Sequence, residues 1–219
     1  MRIDNRGLKA MRKQLQNWKY IPYFLSHPIN GFWEIKKEKK GSLTTALTLL
    51  VLYGLVSVAS AFFTSYMFNP RNTLDVNVAL LLLPIAGLYL LWCISSWCLT
   101  SLFDGEGSFY DICVSTAYSM IPLLIVDVLL ILLSYGLTLD ESSLYHMIRT
   151  LSFVWFGFMM FIGTMVTHQY SFSKTLLICV CTLLGMCIIV YIALLFINLL
   201  QQLTGFGSSL YNEWLLRMN

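Results

Sequence analysis

Along most of the chain, uncharged and mainly apolar runs alternate with short polar breaks. Leu43 to Met67 and Val76 to Phe103 carry no charge, Ile112 to Leu139 carries only Asp127, Ile148 to Thr167 only Arg149, and Thr175 to Leu200 none. Each run approaches or exceeds the roughly 20 residues that cross about 30 Å of hydrocarbon at 1.5 Å per residue. Segments such as Ala79 to Leu83 and Leu129 to Leu133 lack the period-two alternation of a barrel strand. Backbone groups in lipid must bond within the protein, so the pattern predicts five transmembrane helices. The breaks at Phe68 to Asp75, Asp104 to Asp111, Asp140 to Met147 and His168 to Lys174 are short, which makes sequential helices antiparallel.

Composition agrees with this reading and narrows it. The 219 residues are 58% hydrophobic and only 11% charged, and the mean hydropathy is +0.71. A soluble globular domain, a disordered chain and a secreted disulfide scaffold are all excluded. The fold class is therefore all-α, a polytopic five-helix membrane bundle over residues 43–200, with spans near 43–67, 76–103, 112–139, 148–167 and 175–200. A basic amphipathic arm (1–42) precedes it and a tail (201–219) follows. The first 40 residues hold ten Lys and Arg, and Lys174 falls on the same side, against Arg71, Arg149 and Arg217 on the other. By the positive-inside rule the N-terminus is expected in the cytoplasm and the C-terminus outside the plasma membrane. No secretory signal is visible, and the first span is expected to serve as the targeting signal.

The arm carries ten basic and three acidic residues, a net of +7 in a chain whose total is +3. Leu8, Met11, Leu15 and Trp18 share one helical face, flanked by Lys9, Arg12, Lys13 and Lys19, as in a helix lying on anionic headgroups. Pro22 should end that helix. A second should open at Pro28, with Phe32 and Trp33 turned to the membrane and Lys36, Lys37, Lys39 and Lys40 next to the first span. Basic flanks are also what topology alone requires. Nucleic acid is not an expected partner, because stacking platforms and a recognition fold are missing.

Within the spans, Asp127 lies about 22 Å beyond Ile112, and the returning helix brings Arg149 to a similar depth. The two form a candidate intramembrane pair, either a structural contact or part of a proton or ion relay. Pro84 and Pro122 predict kinks in the second and third spans, with Ser119 or Tyr118 able to relieve the carbonyl that Pro122 frees. Gly157, Gly163 and Gly185 predict close helix contacts. All six cysteines fall within spans and read as small buried residues; no spacing suggests a disulfide framework or a metal site. No nucleophile, phosphate-loop or metalloprotease motif is present, so catalytic, metal and cofactor-binding residues are expected to be absent.

The stretch Phe103-Asp104-Gly105-Glu106-Gly107-Ser108-Phe109-Tyr110-Asp111, running on through Ala117 to Pro122, resembles the loop and third helix of bacterial Yip-family (Ypt-interacting protein) membrane domains. His27-Pro28-Ile29-Asn30-Gly31-Phe32-Trp33-Glu34-Ile35 is similar to the segment before that family's first span. His168-Gln169-Tyr170-Ser171-Phe172 is similar to its loop before the last. The resemblance covers about residues 27 to 200. It implies a non-enzymatic protein, and relatives encoded beside carbohydrate ABC importers imply an accessory or scaffolding role next to an ABC permease. The residues add an acidic cytoplasmic loop (Asp104, Glu106, Asp111), hinged by Gly105 and Gly107, able to pair with the Lys36 to Lys40 cluster or with another protein. They also add a tail, Ser208 to Met218, whose apolar positions suit an interfacial or partner-docking helix. The alternative reading is a small transporter or channel with a path near Pro84, Pro122 and Asp127.

Overall fold

A computed structural model describes residues 21–37, 41–69 and 76–218, and all regular structure among them is helical. Two short helices, α1 (Ile21–Ser26) and α2 (Pro28–Lys37), precede α3 (Leu43–Phe63) and α4 (Val78–Leu102). The third span is split into α5 (Phe109–Ser119) and α6 (Ile121–Leu133). A 3-10 turn, Leu139–Glu141, leads into α7 (Ser142–His168), and α8 (Phe172–Met218) ends the chain. Five segments are long and apolar enough to cross a membrane: Leu43–Phe63, Val78–Leu102, Phe109–Leu133, Leu139–His168 and Phe172–Ser209. Below, the end of the bundle that carries α1, α2 and the 103–108 and 169–171 loops is called proximal, and the opposite end distal.

Local chemistry sets these boundaries. Ser42 caps α3 by accepting from the Thr45 N–H at 3.1 Å, and Asn77 caps α4 in the same way. Ser108 and Asp111 form a reciprocal capping box at the start of α5. Pro122 stands in the first turn of α6, and the Met120 N–H turns to Ala117 O at 3.2 Å. The expected kink is thus a break between two helices. Ser119 Oγ donates to Ser115 O at 2.9 Å and so serves its own turn instead of the carbonyl that Pro122 frees. Pro84 lies inside α4, which continues unbroken through it.

Apolar side chains give little driving force for helix association in lipid, so close packing of small residues and buried hydroxyls holds the bundle together. Ser95 Oγ donates to Thr182 O at 2.9 Å between α4 and α8, and a Cβ on Gly185 would stand 2.6 Å from that same Oγ. Tyr89 Oη donates to Cys113 O at 2.8 Å between α4 and α5. At the distal end Tyr135 Oη donates to Phe63 O at 2.6 Å. Gly163 is a close contact as expected: a Cβ there would meet Ser115 Oγ at 2.6 Å and the Phe32 ring at 3.1 Å. Gly157 corrects the expectation, because nothing lies within 4 Å of where its Cβ would be.

Two further features depart from the sequence reading. Phe32 is not turned to the membrane: it is 1% exposed, inserted into the notch that Gly163 and Ser115 leave between α7 and α5. Phe24, also buried, packs edge-on against Phe32 at 4.8 Å and Tyr118 at 5.6 Å. Gly31 admits the Phe24 ring, so α1 and α2 fold into a hairpin against the bundle, while Trp33 stays 47% exposed. The second departure is α8, one helix of 47 residues that does not end near residue 200. No proline or charge interrupts Gln201 to Asn212, and its two glycines are too few to stop a helix that long.

Phe32→Ala should lower stability in detergent by about 3 kcal/mol, the cost of emptying a filled aromatic site. Trp33→Ala should change it much less. Equal, small losses in denaturant titrations of the two variants would place Phe32 on the lipid side after all.

Candidate functional site, a latch at the proximal end

Helices α4 and α7 end side by side and end alike. After α4, Asp104 takes a left-handed φ of 54° and the Gly105 N–H reaches back to Thr100 O at 2.9 Å. After α7, Gln169 takes a φ of 55° and the Tyr170 N–H reaches back to Met165 O at 3.1 Å. Both are six-to-one C-terminal caps, which satisfy carbonyls that the helices leave open. Glycine usually occupies the left-handed position; here Asp and Gln do, and in the loop after α4 Gly105 and Gly107 follow with no positive φ.

Space, not backbone conformation, explains those glycines. A Cβ on Gly105 would lie 2.6 Å from both His168 Nδ1 and Tyr170 Oη, and one on Gly107 would lie 2.8 Å from His168 Cε1 and Thr167 Cγ2. The loop therefore lies directly on the His168 imidazole, which is 2% exposed. The Gly107 N–H donates to His168 Nδ1 at 3.3 Å, so Nδ1 is the acceptor and the ring proton is on Nε2. Tyr170 stacks on the imidazole at 5.4 Å, and its hydroxyl donates to Phe103 O at 3.1 Å and Thr100 O at 3.4 Å. Lys174 Nζ donates to Phe103 O at 2.8 Å and stands 4.3 Å above the Tyr170 ring. Burial holds the Tyr170 phenol above its usual value of 10.0, with a smaller push from the Asp104 carboxylate.

Lys36 ties the helical hairpin to this loop through Glu106 at 3.3 Å. The Lys36 side chain is largely covered, and Glu106 is exposed. The segments around His27–Ile35, Phe103–Asp111 and His168–Phe172, far apart in the chain, thus meet in one assembly. Its donors and acceptors are committed to holding the loop, and Asp104 and Glu106 face outward.

The other candidate residues are distributed as follows. Asp111 caps α5 through Ser108 at 2.7 Å. Lys37 ends α2. Lys9, Arg12, Lys13, Trp18, Lys19, Lys39 and Lys40 lie outside the described residues. Asp127 and Arg149 come within electrostatic range of each other and of Tyr53, but among the described residues the ion pairs are Lys36–Glu106 and Arg217–Glu213, so no direct bond joins them. Pro84 borders an apolar cleft of about 560 Å³ between α4, α7 and α8; neither Pro122, which is buried, nor Asp127 is among its walls. Among the described residues no three His, Cys, Asp or Glu are grouped as metal ligands.

The sequence reading placed Lys36 on the same side as the acidic loop and missed the centre of the latch. His168 has no ligand or triad partner at a recognisable spacing in the sequence; its partner is a backbone N–H. Gly105 and Gly107 were read as hinges. Two glycines flanking one residue, in a loop opposite a histidine-tyrosine pair, were the available signal.

The Yip1 domain family matches this chain over residues 23–195. No curated protein and no solved structure matches it. The matched span takes in all three segments of the latch.

Gly105→Ala should lower thermal stability in detergent by about 1–3 kcal/mol through overpacking against His168 and Tyr170. Tyr170→Phe should cost about 1 kcal/mol. Because the folded phenol ionises above the unfolded one, its contribution is full below pH 10 and falls as pH rises beyond it. Denaturation profiles of the wild type and Tyr170→Phe should therefore run parallel at neutral pH and converge in alkali; curves that stay parallel throughout would contradict a buried, donating phenol.

Proposed function

The chain belongs to the Yip1-domain family and is a multi-pass integral membrane protein, and we propose that it works by association, as a non-catalytic scaffold or accessory subunit of a membrane transport assembly. The observation that carries this reading is the unbroken course of α8. From Thr175, 26 residues reach Leu200 and span about 39 Å, enough for the hydrocarbon with some tilt; another 18 residues then extend about 27 Å further. Leu203, Phe206, Leu210 and Trp214 recur on that extension at spacings of three, four and four, one face of a helix. Leu203, Phe206 and Trp214 are exposed. A helix lying on headgroups must turn sharply away from its span, and such turns need a break. With none in α8, the apolar stripe leaves the bilayer surface, and burying it falls to another protein.

The proximal end supports the same conclusion. Its polar groups are engaged in structure, and Asp104 and Glu106 are exposed, Glu106 already paired with Lys36. On the positive-inside distribution of Lys and Arg, this end lies in the cytoplasm of a bacterial cell and α8 ends outside. The net charge of +7 over the first 40 residues suits attraction to anionic headgroups. The partner we propose, following the family resemblance, is the permease of a carbohydrate ABC importer.

Affinity purification in mild detergent followed by mass spectrometry tests this. The full chain should retain an ABC permease, and a chain ending at Leu200 should lose it while keeping its own fold. Recovery of no membrane protein with the full chain, or equal recovery with the shortened one, would contradict the proposal, as would solute movement by the purified protein alone in vesicles.

A further inference from the structure

The apolar cleft does not depend on the association just proposed. Pro84 to Trp92 on α4, Phe153 to Phe161 on α7 and Cys179 to Met186 on α8 supply its walls, backed by Tyr53 and by Thr116 to Leu123 of the third span, so it runs about 12 Å along each helix. A partner helix crossing the membrane needs a groove along the whole of about 30 Å, whereas a lipid chain needs only one leaflet. Water is a poor occupant for walls that are nearly all apolar.

The two ends of the cleft differ. Towards the proximal end, Trp92, Thr116 and Met160 are shared with a second cavity lined by Ser96, Ser115, Thr164, Thr167 and His168. That recess, at about 10 Å³, has room for no more than one water. A chain cannot pass through it, so the chain end stops there. Towards the distal end stands Arg149, on the same face of α7 as Phe153, Phe156, Gly157 and Met160 by its spacing of four, seven, eight and eleven. Arg149 is exposed, and among the described residues no carboxylate lies within 4.0 Å of it. Tyr53, a wall of the cleft, is in electrostatic range of Arg149 and of Asp127, the acid facing this region from α6. A guanidinium one turn beyond the mouth of an apolar, membrane-depth cleft is suited to a phosphate diester.

We propose that this cleft is a binding site for one phospholipid of the distal leaflet, its acyl chain running from Phe153 to Met160 and its phosphate held by Arg149. Gly157 is the absent side chain that leaves room for the chain: a Cβ there meets nothing within 4 Å. Gly87 is equally open but is not part of the cleft wall, which makes it the matched control.

The test uses the full chain in vesicles containing phosphatidylglycerol and phosphatidylcholine with a diazirine on one acyl chain. After photolysis, adducts are mapped by peptide mass spectrometry, and phospholipid retained through delipidation is counted per protein. Wild type and Gly87→Trp should both label the cleft peptides around Trp92, Met160 and Leu183 and retain lipid. Gly157→Trp should abolish cleft labelling while outward-facing positions such as Leu177 and Val180 stay labelled, which also shows that the bundle is intact. Arg149→Gln should reduce retained phospholipid about tenfold. Cleft labelling unchanged by Gly157→Trp would overturn the chain site, and retention unchanged by Arg149→Gln would overturn the phosphate contact.

Discussion

A backbone that leaves a helix at the edge of the hydrocarbon must satisfy its freed N–H and C=O groups within the protein, and at the proximal end that requirement converges on His168. Its imidazole takes the Gly107 N–H, supports the Tyr170 ring and fills the space where side chains at 105 and 107 would stand. Tyr170 and Lys174 then serve the last carbonyls of α4. Once the loop is seated, Glu106 is placed for Lys36, and the α1–α2 hairpin is fixed beside it with Phe32 plugging the Gly163 notch. Each contact is modest. Their arrangement makes a closed end where three connections would otherwise expose polar backbone.

The distal half is built differently. There the Tyr135 hydroxyl and the Ser134 side chain hold the end of α3, while nearer mid-membrane an apolar cleft opens between the helices. The latch maintains one geometry at the membrane edge, and α8 carries an uncovered apolar face away from it.

The spans were legible because charge and length alone specify them: no other structure accommodates Val76 to Phe103 in lipid. The break at Pro122 was legible from its missing N–H, yet the same lack at Pro84 leaves α4 continuous, so a proline marks where a helix can break and its neighbours decide whether it does. What a helix faces was not legible. A period of 3.6 separates apolar from polar, but inside a membrane both lipid and protein neighbours are apolar, so Phe32 was placed outward and Gly157 was placed at a contact. Asp127 and Arg149 match in depth, which rise per residue gives, yet whether they touch depends on rotation about each helix axis, which it does not. His168 escaped notice because its partner is a peptide group, and every residue in the chain carries one.

Amide hydrogen exchange at Gly107, measured by NMR in bicelles, tests the closed proximal end most directly. With the N–H donated to His168 Nδ1, the Gly107 amide should exchange far more slowly than a loop amide open to water, and His168→Phe should remove that protection while the helix cores of α4 and α7 remain protected. Fast exchange at Gly107 in the wild-type protein, or protection that survives His168→Phe, would show that the loop is not held by the imidazole and that the end of the bundle closes by other means.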